Sequence, residues 1–114
     1  MEDASVYRAI VAAAEAGRRV ALATVIRTRG SVPRHAGSRM LVDPERAPEH
    51  AMVGTIGGGC GEADVITAAR EVVASGRPRM VSVQLTDSIE GWSPAVCGGT
   101  MDVLVEPILP AADA

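Results

Sequence analysis

The sequence contains no lysine and no phenylalanine, and Tyr7 and Trp92 are its only aromatic residues. All eleven basic residues are arginine, which excludes a Walker-type phosphate-binding lysine and Schiff-base chemistry on a lysine. Without phenylalanine, the core must be built from valine, isoleucine, leucine, methionine and alanine, whose small side chains bring backbones close together. A chain of 114 residues is long enough for one domain with a substantial core.

The sequence also lacks long hydrophobic runs and a strong charge. No apolar run approaches the ~20 residues that span a bilayer, and the acidic start at residues 1–3 lacks the basic region of a signal peptide. We therefore expect a cytoplasmic protein with no membrane partner. The net charge of −3 gives no electrostatic case for binding nucleic acid.

Cysteine is scarce, since Cys60 and Cys97 are the only two. A cytoplasmic location favours reduced thiols over a structural disulfide between them, although the sequence does not exclude that bond. Neither cysteine belongs to a CxxC pair, and the histidines have no zinc-ligand spacing around them. We expect no structural zinc.

Hydrophobic periodicity predicts the element order α-β-β-β-α-β-β. The first helix is expected over residues 4–16 and the second from about residue 62 to Gly76, with an apolar stripe that ends at Val72 and Val73. The strands are expected at residues 20–26, 39–42, 51–56, 80–85 and 101–106, the last stopped by Pro107.

This order predicts a single domain of the α/β (α+β) class over residues 1–109. Two main helices are expected to pack on a mixed sheet of about five strands. Residues 110–114 are expected to form a frayed tail. No linker or repeat indicates a second domain.

The richest local pattern is a glycine loop, Gly57-Gly58-Gly59-Cys60, followed by Gly61 and Glu62 at the start of the second helix. Glycines let backbone N–H groups approach a ligand, and a helix N-terminus attracts anions. A thiol there is expected to have a lowered pKa, unless Cys60 is merely a small buried thiol beside a turn. Glu62 either caps the helix or contacts a ligand. The loop is not a dinucleotide fingerprint, because that spacing requires glycine at position 62.

Two further loops carry polar chemistry. A basic loop holds Arg27, Arg29, Arg34 and Arg39, of which Arg34 is the preferred ligand for phosphate or carboxylate because Pro33 and Gly37 shape the loop around it. Arg27 and Arg29 fit equally well as alternate, solvent-facing residues at the end of a strand. His35 is expected to be simply exposed.

The last loop repeats the pairing of sulfur with glycine. Cys97, Gly98 and Gly99 directly precede the final strand. Two such sites in one small domain predict either one pocket with two sulfurs or two thiols that exchange.

Together these loops resemble the N-terminal domain of the XdhC/CoxI family. The resemblance covers almost the whole chain and rests on the combination of motifs. The matching stretches are residues 30–34 (GSVPR), 37–40 (GSRM), 54–62 (GTIGGGCGE), 97–100 (CGGT) and 105–107 (VEP).

Members of that family are accessory proteins of molybdenum hydroxylases such as xanthine dehydrogenase and carbon monoxide dehydrogenase. The resemblance implies a chaperone that binds molybdenum cofactor as transient cargo, protects it during sulfuration and delivers it to the apo-enzyme. It favours a non-enzymatic maturation factor with Cys60 or Cys97 as ligand to the molybdenum of the cargo. Arg34, the glycines at positions 57–59, Glu62 and residues 97–99 would then contact the cofactor.

The resemblance also implies partners. Family members commonly add a C-terminal Rossmann-like domain, so we expect a stand-alone form that works with a separate chain carrying that domain. A cysteine desulfurase and a second copy in a homodimer are the other expected partners. The alternative function is a small cysteine-dependent sulfurtransferase or thiol oxidoreductase, with Cys60 or Cys97 as the catalytic residue.

Overall fold

The computed structural model describes residues 2–30, 36–46, 52–54, 62–84 and 99–110. The elements are helix α1 (Glu2–Glu15), strands β1 (Val20–Arg29), β2 (Arg39–Val42) and β3 (Met52–Gly54), helix α2 (Glu62–Ser75), and strands β4 (Arg79–Gln84) and β5 (Thr100–Ile108). The predicted element order is confirmed. Most of the predicted tail, residues 111–114, lies outside the described residues.

The five strands form one sheet in the order β3-β2-β1-β5-β4. Every neighbouring pair is antiparallel, so the sheet is not mixed as the sequence predicted. A helix between two consecutive strands is the usual connection of a parallel pair. Instead, β3 and β4 lie at opposite edges of the sheet, and α2 carries the chain from one edge to the other. The α+β class with two helices on five strands is confirmed.

The two helices pack on opposite faces of the sheet. Successive residues of β1 point to opposite faces, and they contact different helices. Ala21, Ala23 and Val25 pack in the cluster that contains the buried face of α2. Val20 packs with Val6 and Ala13 of α1. The chain therefore forms three layers.

The core has the composition that the absence of phenylalanine predicts. Within the described residues, the buried hydrophobic side chains are valines, alanines, Met40, Met101 and Leu41. The predicted stripe of α2 is confirmed, since Val65 and Val72 are buried while Val73 packs at the margin. Alanines on α2 and on β1 allow the helix and the sheet to approach closely.

Strand β5 extends beyond its predicted end and includes Pro107, which lies opposite Ala21. Strand β4 begins opposite Val105, so beyond that level β5 pairs on one side alone. A proline without an N–H group is compatible with a strand at such a position.

A partly buried ion pair ties the start of β1 to the turn after β2. The Arg18 Nε donates to Asp43 Oδ2 at 2.8 Å, and the Asp43 side chain is only 7% exposed. Asp43 Oδ1 also accepts a hydrogen bond from the Glu45 backbone N–H at 3.2 Å. The carboxylate thus closes the turn and fixes the chain that leads into the central strand.

None of the described helices is long and apolar enough to cross a membrane.

We expect Arg18→Met to lower the free energy of unfolding by about 1–3 kcal/mol, because it leaves a buried carboxylate without its charged donor. Arg79→Met is the matched control, since Arg79 pairs with Glu71 at the surface and such pairs contribute at most about 1 kcal/mol. Urea unfolding followed by circular dichroism measures both. Equal losses in the two variants would contradict a structural role for the pair of Arg18 with Asp43.

Candidate functional site

All three loops singled out in the sequence leave from the same end of the sheet, where its strands begin or stop. Strands β1, β3 and β4 end there, at Arg29, Gly54 and Gln84, and β2 and β5 begin there, at Arg39 and Thr100. The register confirms the alignment, since Arg29 and Gln84 both lie opposite Thr100 and Gly54 lies opposite Met40. We call this end of the sheet, defined by those five strand-end residues, the loop edge.

The loop edge is stepped. The last registered pair of β1 with β2 joins Thr24 to Arg39, whereas the pairing of β1 with β5 continues to Arg29. On β5, Thr100 lies four residues beyond Leu104, the partner of Thr24, which corresponds to about 13 Å. The ends of β1, β4 and β5 therefore stand above the ends of β2 and β3.

The N-terminus of α2 also points toward the loop edge. The helix has 14 residues and ends at Ser75, four residues before Arg79 at the far end of β4. Because 14 residues span about 21 Å, roughly the length of β4, the first residue, Glu62, lies near the loop edge. The positive end of the helix dipole is therefore at the edge from which the three loops leave.

A bulge in β1 decides which side chains face outward at this edge. The register shifts between Val25 and Arg27, and Ile26 is the extra residue, 46% exposed. Without the bulge, alternation would turn Arg27 and Arg29 toward the face that α2 covers. With it, both arginines are exposed on the opposite face, and Thr28 takes the side of α2.

Two backbone hydrogen bonds connect β1, next to the bulge, to the end of the basic loop. Val25 N–H donates to the Ser38 carbonyl at 2.9 Å, and Gly37 N–H donates to the Val25 carbonyl at 2.8 Å. These bonds hold the end of the basic loop against β1. The loop is thus anchored beside the residue at which the strand changes its facing.

The described arginines at the edge already have defined partners or positions. Arg27 Nε donates to Asp102 Oδ2 at 3.0 Å, with the arginine side chain 63% exposed. Arg39 Nη1 donates to the Tyr7 hydroxyl at 2.8 Å, and its Cζ lies 5.8 Å from the centre of the Tyr7 ring. Arg29 is exposed opposite Thr100. The face of the sheet opposite α2 is therefore lined with guanidinium groups near the loop edge, which is compatible with an anionic ligand.

Gly54 turns the chain from β3 into the glycine loop and leaves no room for a side chain. Its φ is +86°, and a Cβ there would lie 2.7 Å from the Arg39 carbonyl oxygen and 3.0 Å from Val6 Cγ2. Glycine is required on both grounds, conformation and space.

Most of the predicted site residues lie outside the described residues. These are Arg34, Gly57, Gly58, Gly59, Cys60, Cys97 and Gly98, and His35 lies there too. Of the others, Gly99 is buried one residue before β5, and Glu62 is the first residue of α2. The described ranges contain no group of three or more potential metal ligands, but both cysteines and both histidines fall outside those ranges.

Sequence reasoning missed three features of the site. The pair of Arg27 with Asp102 joins residues 75 positions apart, and the contact of Arg39 with Tyr7 joins residues 32 positions apart, so no local pattern signals either. The sequence gives no signal for the bulge at Ile26 either, because the surrounding segment has the pattern of a regular strand.

Comparisons with known proteins agree with this fold. The sequence profile of the XdhC and CoxI family matches residues 13–84. The protein YqeB of Escherichia coli (strain K12) is 35% identical over 85 residues, which are 75% of this chain and 15% of YqeB. A crystal structure described as a xanthine dehydrogenase from Bacillus halodurans is 30% identical, with a TM-score of 0.71. That match covers 91% of this chain and 30% of the other.

The fold and the loop edge define an α+β domain whose candidate chemistry is carried by loops at one end of an antiparallel sheet. The chain belongs to the XdhC and CoxI family. It spans 15% of the length of YqeB and 30% of the length of the Bacillus halodurans protein.

We expect Gly54→Ala to lower the free energy of unfolding by about 2–4 kcal/mol, through backbone strain and the clash with the Arg39 carbonyl. Gly76→Ala is the control, because Gly76 has a similar φ of +75° but open space around it. Its cost is expected to be about 1–2 kcal/mol. Chemical denaturation measures the difference, and a loss in Gly54→Ala no larger than that in Gly76→Ala would contradict the steric requirement.

Proposed function

We propose that this chain is an accessory chaperone that binds molybdenum cofactor, assists its sulfuration and inserts it into a molybdenum hydroxylase of the xanthine dehydrogenase or carbon monoxide dehydrogenase type. The carrying observation is the convergence of three loops at the loop edge in a member of the XdhC and CoxI family. The resemblance of those loops to the family's motifs links them to molybdenum hydroxylase maturation.

The chemistry of the cargo fits the residue types at this edge. Molybdenum cofactor presents a phosphate, a pterin dithiolene, and oxo and sulfido ligands on the metal. We assign the phosphate to Arg34 and to backbone N–H groups of residues 57–59, ahead of the N-terminus of α2. The exposed Arg27 and Arg29 on the neighbouring strand add positive potential that attracts an anion to the edge.

The sulfur-bearing residues are proposed to hold the metal end of the cargo. Cys60 lies two residues before the start of α2, and Cys97 lies three residues before the start of β5. Cys60 leads into α2, which packs across β1 and β5, and Cys97 leads into β5, so the packing of α2 on β5 supports one pocket lined by both loops. A thiolate from Cys60 or Cys97 is a soft ligand suited to the molybdenum of the cargo. Glu62, Gly98 and Gly99 complete the proposed contacts.

The proposed role needs binding and release rather than turnover. The domain, residues 1–109, would shield the cofactor from water, keep it oriented while a cysteine desulfurase supplies sulfur, and pass it to the apo-hydroxylase in the cytoplasm. A separate chain with a Rossmann-like domain and a second copy of this chain are further proposed partners. A carrier must release its cargo, so moderate affinity suits this role better than extreme affinity.

The first test measures binding of released molybdenum cofactor by co-elution and by fluorescence of the pterin. We expect Arg34→Gln to weaken binding by about tenfold to a hundredfold, the loss of one charge-assisted hydrogen bond. Cys60→Ala and Cys97→Ala are expected to reduce the retained molybdenum. Arg77→Gln, in the exposed turn after α2 at the far end of the sheet, is the control and should bind as the wild type does.

Two results would contradict the proposal. Absence of cofactor binding by the wild type would remove the chaperone function. Equal binding by the wild type and both cysteine variants would remove the assigned role of the thiols while leaving the phosphate site intact.

The second candidate function is a persulfide-handling sulfurtransferase, favoured by the position of Cys60 just before α2. The Cys60 thiolate would attack the outer sulfur of a donor persulfide, giving a Cys60 persulfide and releasing the donor thiolate. This function needs a reactive thiolate near neutral pH. We expect a rate of iodoacetamide labelling at Cys60 that titrates well below the ordinary thiol pKa of ~8.5. An ordinary titration would reject the sulfurtransferase and leave the chaperone proposal standing.

A further inference from the structure

Helix α1 has an exposed side that the sheet does not use. Val6 and Ala13 pack on the sheet, whereas Tyr7 and Val11 on the opposite side are 50% and 55% exposed. Tyr7, Arg8, Val11, Ala12 and Glu15 line a shallow groove along the helix. We call these five residues the outer face of α1.

The charges of the outer face are arranged symmetrically about its apolar centre. Arg8 and Glu15 are seven positions apart, about 10 Å along the helix axis, which is too far for them to pair within α1. Neither makes an ion pair with any residue in the described ranges. Their midpoint falls between Val11 and Ala12.

We propose that the outer face of α1 binds a second copy of this chain through an antiparallel pair of α1 helices. A two-fold axis beside Val11 and Ala12 brings Arg8 of each copy opposite Glu15 of the other. Because the axis repeats every contact, one patch supplies both oppositely charged pairs. Ala12 lets the helices approach to the usual 8–10 Å, and Val11 packs across the axis.

The patch favours a second copy over other occupants. A lipid surface would select a basic face, whereas Arg8 and Glu15 cancel. Opposite charges placed equally far from an apolar centre match an inverted copy of the same surface. One pair of helices about 21 Å long buries less than the ~1,200–2,000 Å² of stable interfaces, so we expect a reversible dimer with a dissociation constant in the micromolar range.

The test is sedimentation velocity of the whole chain without cofactor, over concentrations that bracket the micromolar range. Val11→Glu places two carboxylates at the axis and is expected to raise the dissociation constant at least about tenfold. Met80→Glu is the matched control, because Met80 is equally exposed, at 55%, but lies on the edge strand β4. It should leave the dimer unchanged. Far-UV circular dichroism checks that each variant is folded.

Charge reversal supplies a second, independent test. Arg8→Glu and Glu15→Arg each place like charges opposite one another and are expected to weaken the dimer several-fold, up to about tenfold. The double variant restores both pairs in reversed order and should return to within about threefold of the wild type. Glu15→Arg also suits the C-terminal end of α1, so its effect would not come from a weakened helix.

A wild type that stays monomeric at all concentrations would overturn the proposal. So would a dimer that Val11→Glu leaves intact, a dimer that Met80→Glu dissociates, or a double variant as weak as the single ones. Capture of a different protein by the same face without self-association would also overturn it. The inference rests on the proposed function only in naming the surface for the second copy proposed there as a partner. None of these outcomes depends on cofactor binding, so they decide the dimer and leave the proposed binding of the cofactor to its own test.

Discussion

The pairing of β1 with β5 is the interaction on which the rest of the structure depends. It is the longest ladder of the sheet, running from Val20 opposite Ile108 to Arg29 opposite Thr100. It joins the first quarter of the chain to the last, at a large cost in loop-closure entropy that buried valines on both strands must offset. Both β2 and β4 are added to this pair, and α2 packs across it. The three loops share one edge because this ladder sets the direction of every other strand.

One extra residue in that ladder gives the edge its chemical character. The bulge at Ile26 moves Arg27 and Arg29 away from the side of α2, where their charges would meet the core, and onto the open face. Asp102 lies opposite Arg27 and offsets part of its charge, so Arg27 and Arg29 do not form an isolated cluster of like charges. Along β1, the residues before the bulge therefore pack in the core, and the charged residues after it lie on the open face near the loop edge.

Sequence reasoning recovered the elements because their signals are local. The apolar stripe of α2 lies within a short window of the sequence and matches the structure. The antiparallel pairing, the strand through Pro107 and the bulge were not predicted, because each depends on what lies across the sheet.

The same limit applies to the site. Three separate loops were identified from glycine, cysteine and arginine patterns, but only the register of the strands brings their anchors to one edge. The contact between Tyr7 and Arg39 had no signal in the sequence, because neither residue type predicts the other at a distance of 32 positions. The residues expected to touch the cargo, Arg34, Cys60 and Cys97 among them, stay predictions.

The outer face of α1 and the loop edge are compatible in one assembly. The N-terminal part of α1 lies beside the loop edge, since Val6 approaches Gly54 and Tyr7 contacts Arg39. The end of α1 leads into the start of β1, at the opposite end of the sheet. An antiparallel pair of α1 helices therefore directs the two loop edges in opposite directions. Each would stay open to its own client, because neither edge is needed to hold the copies together.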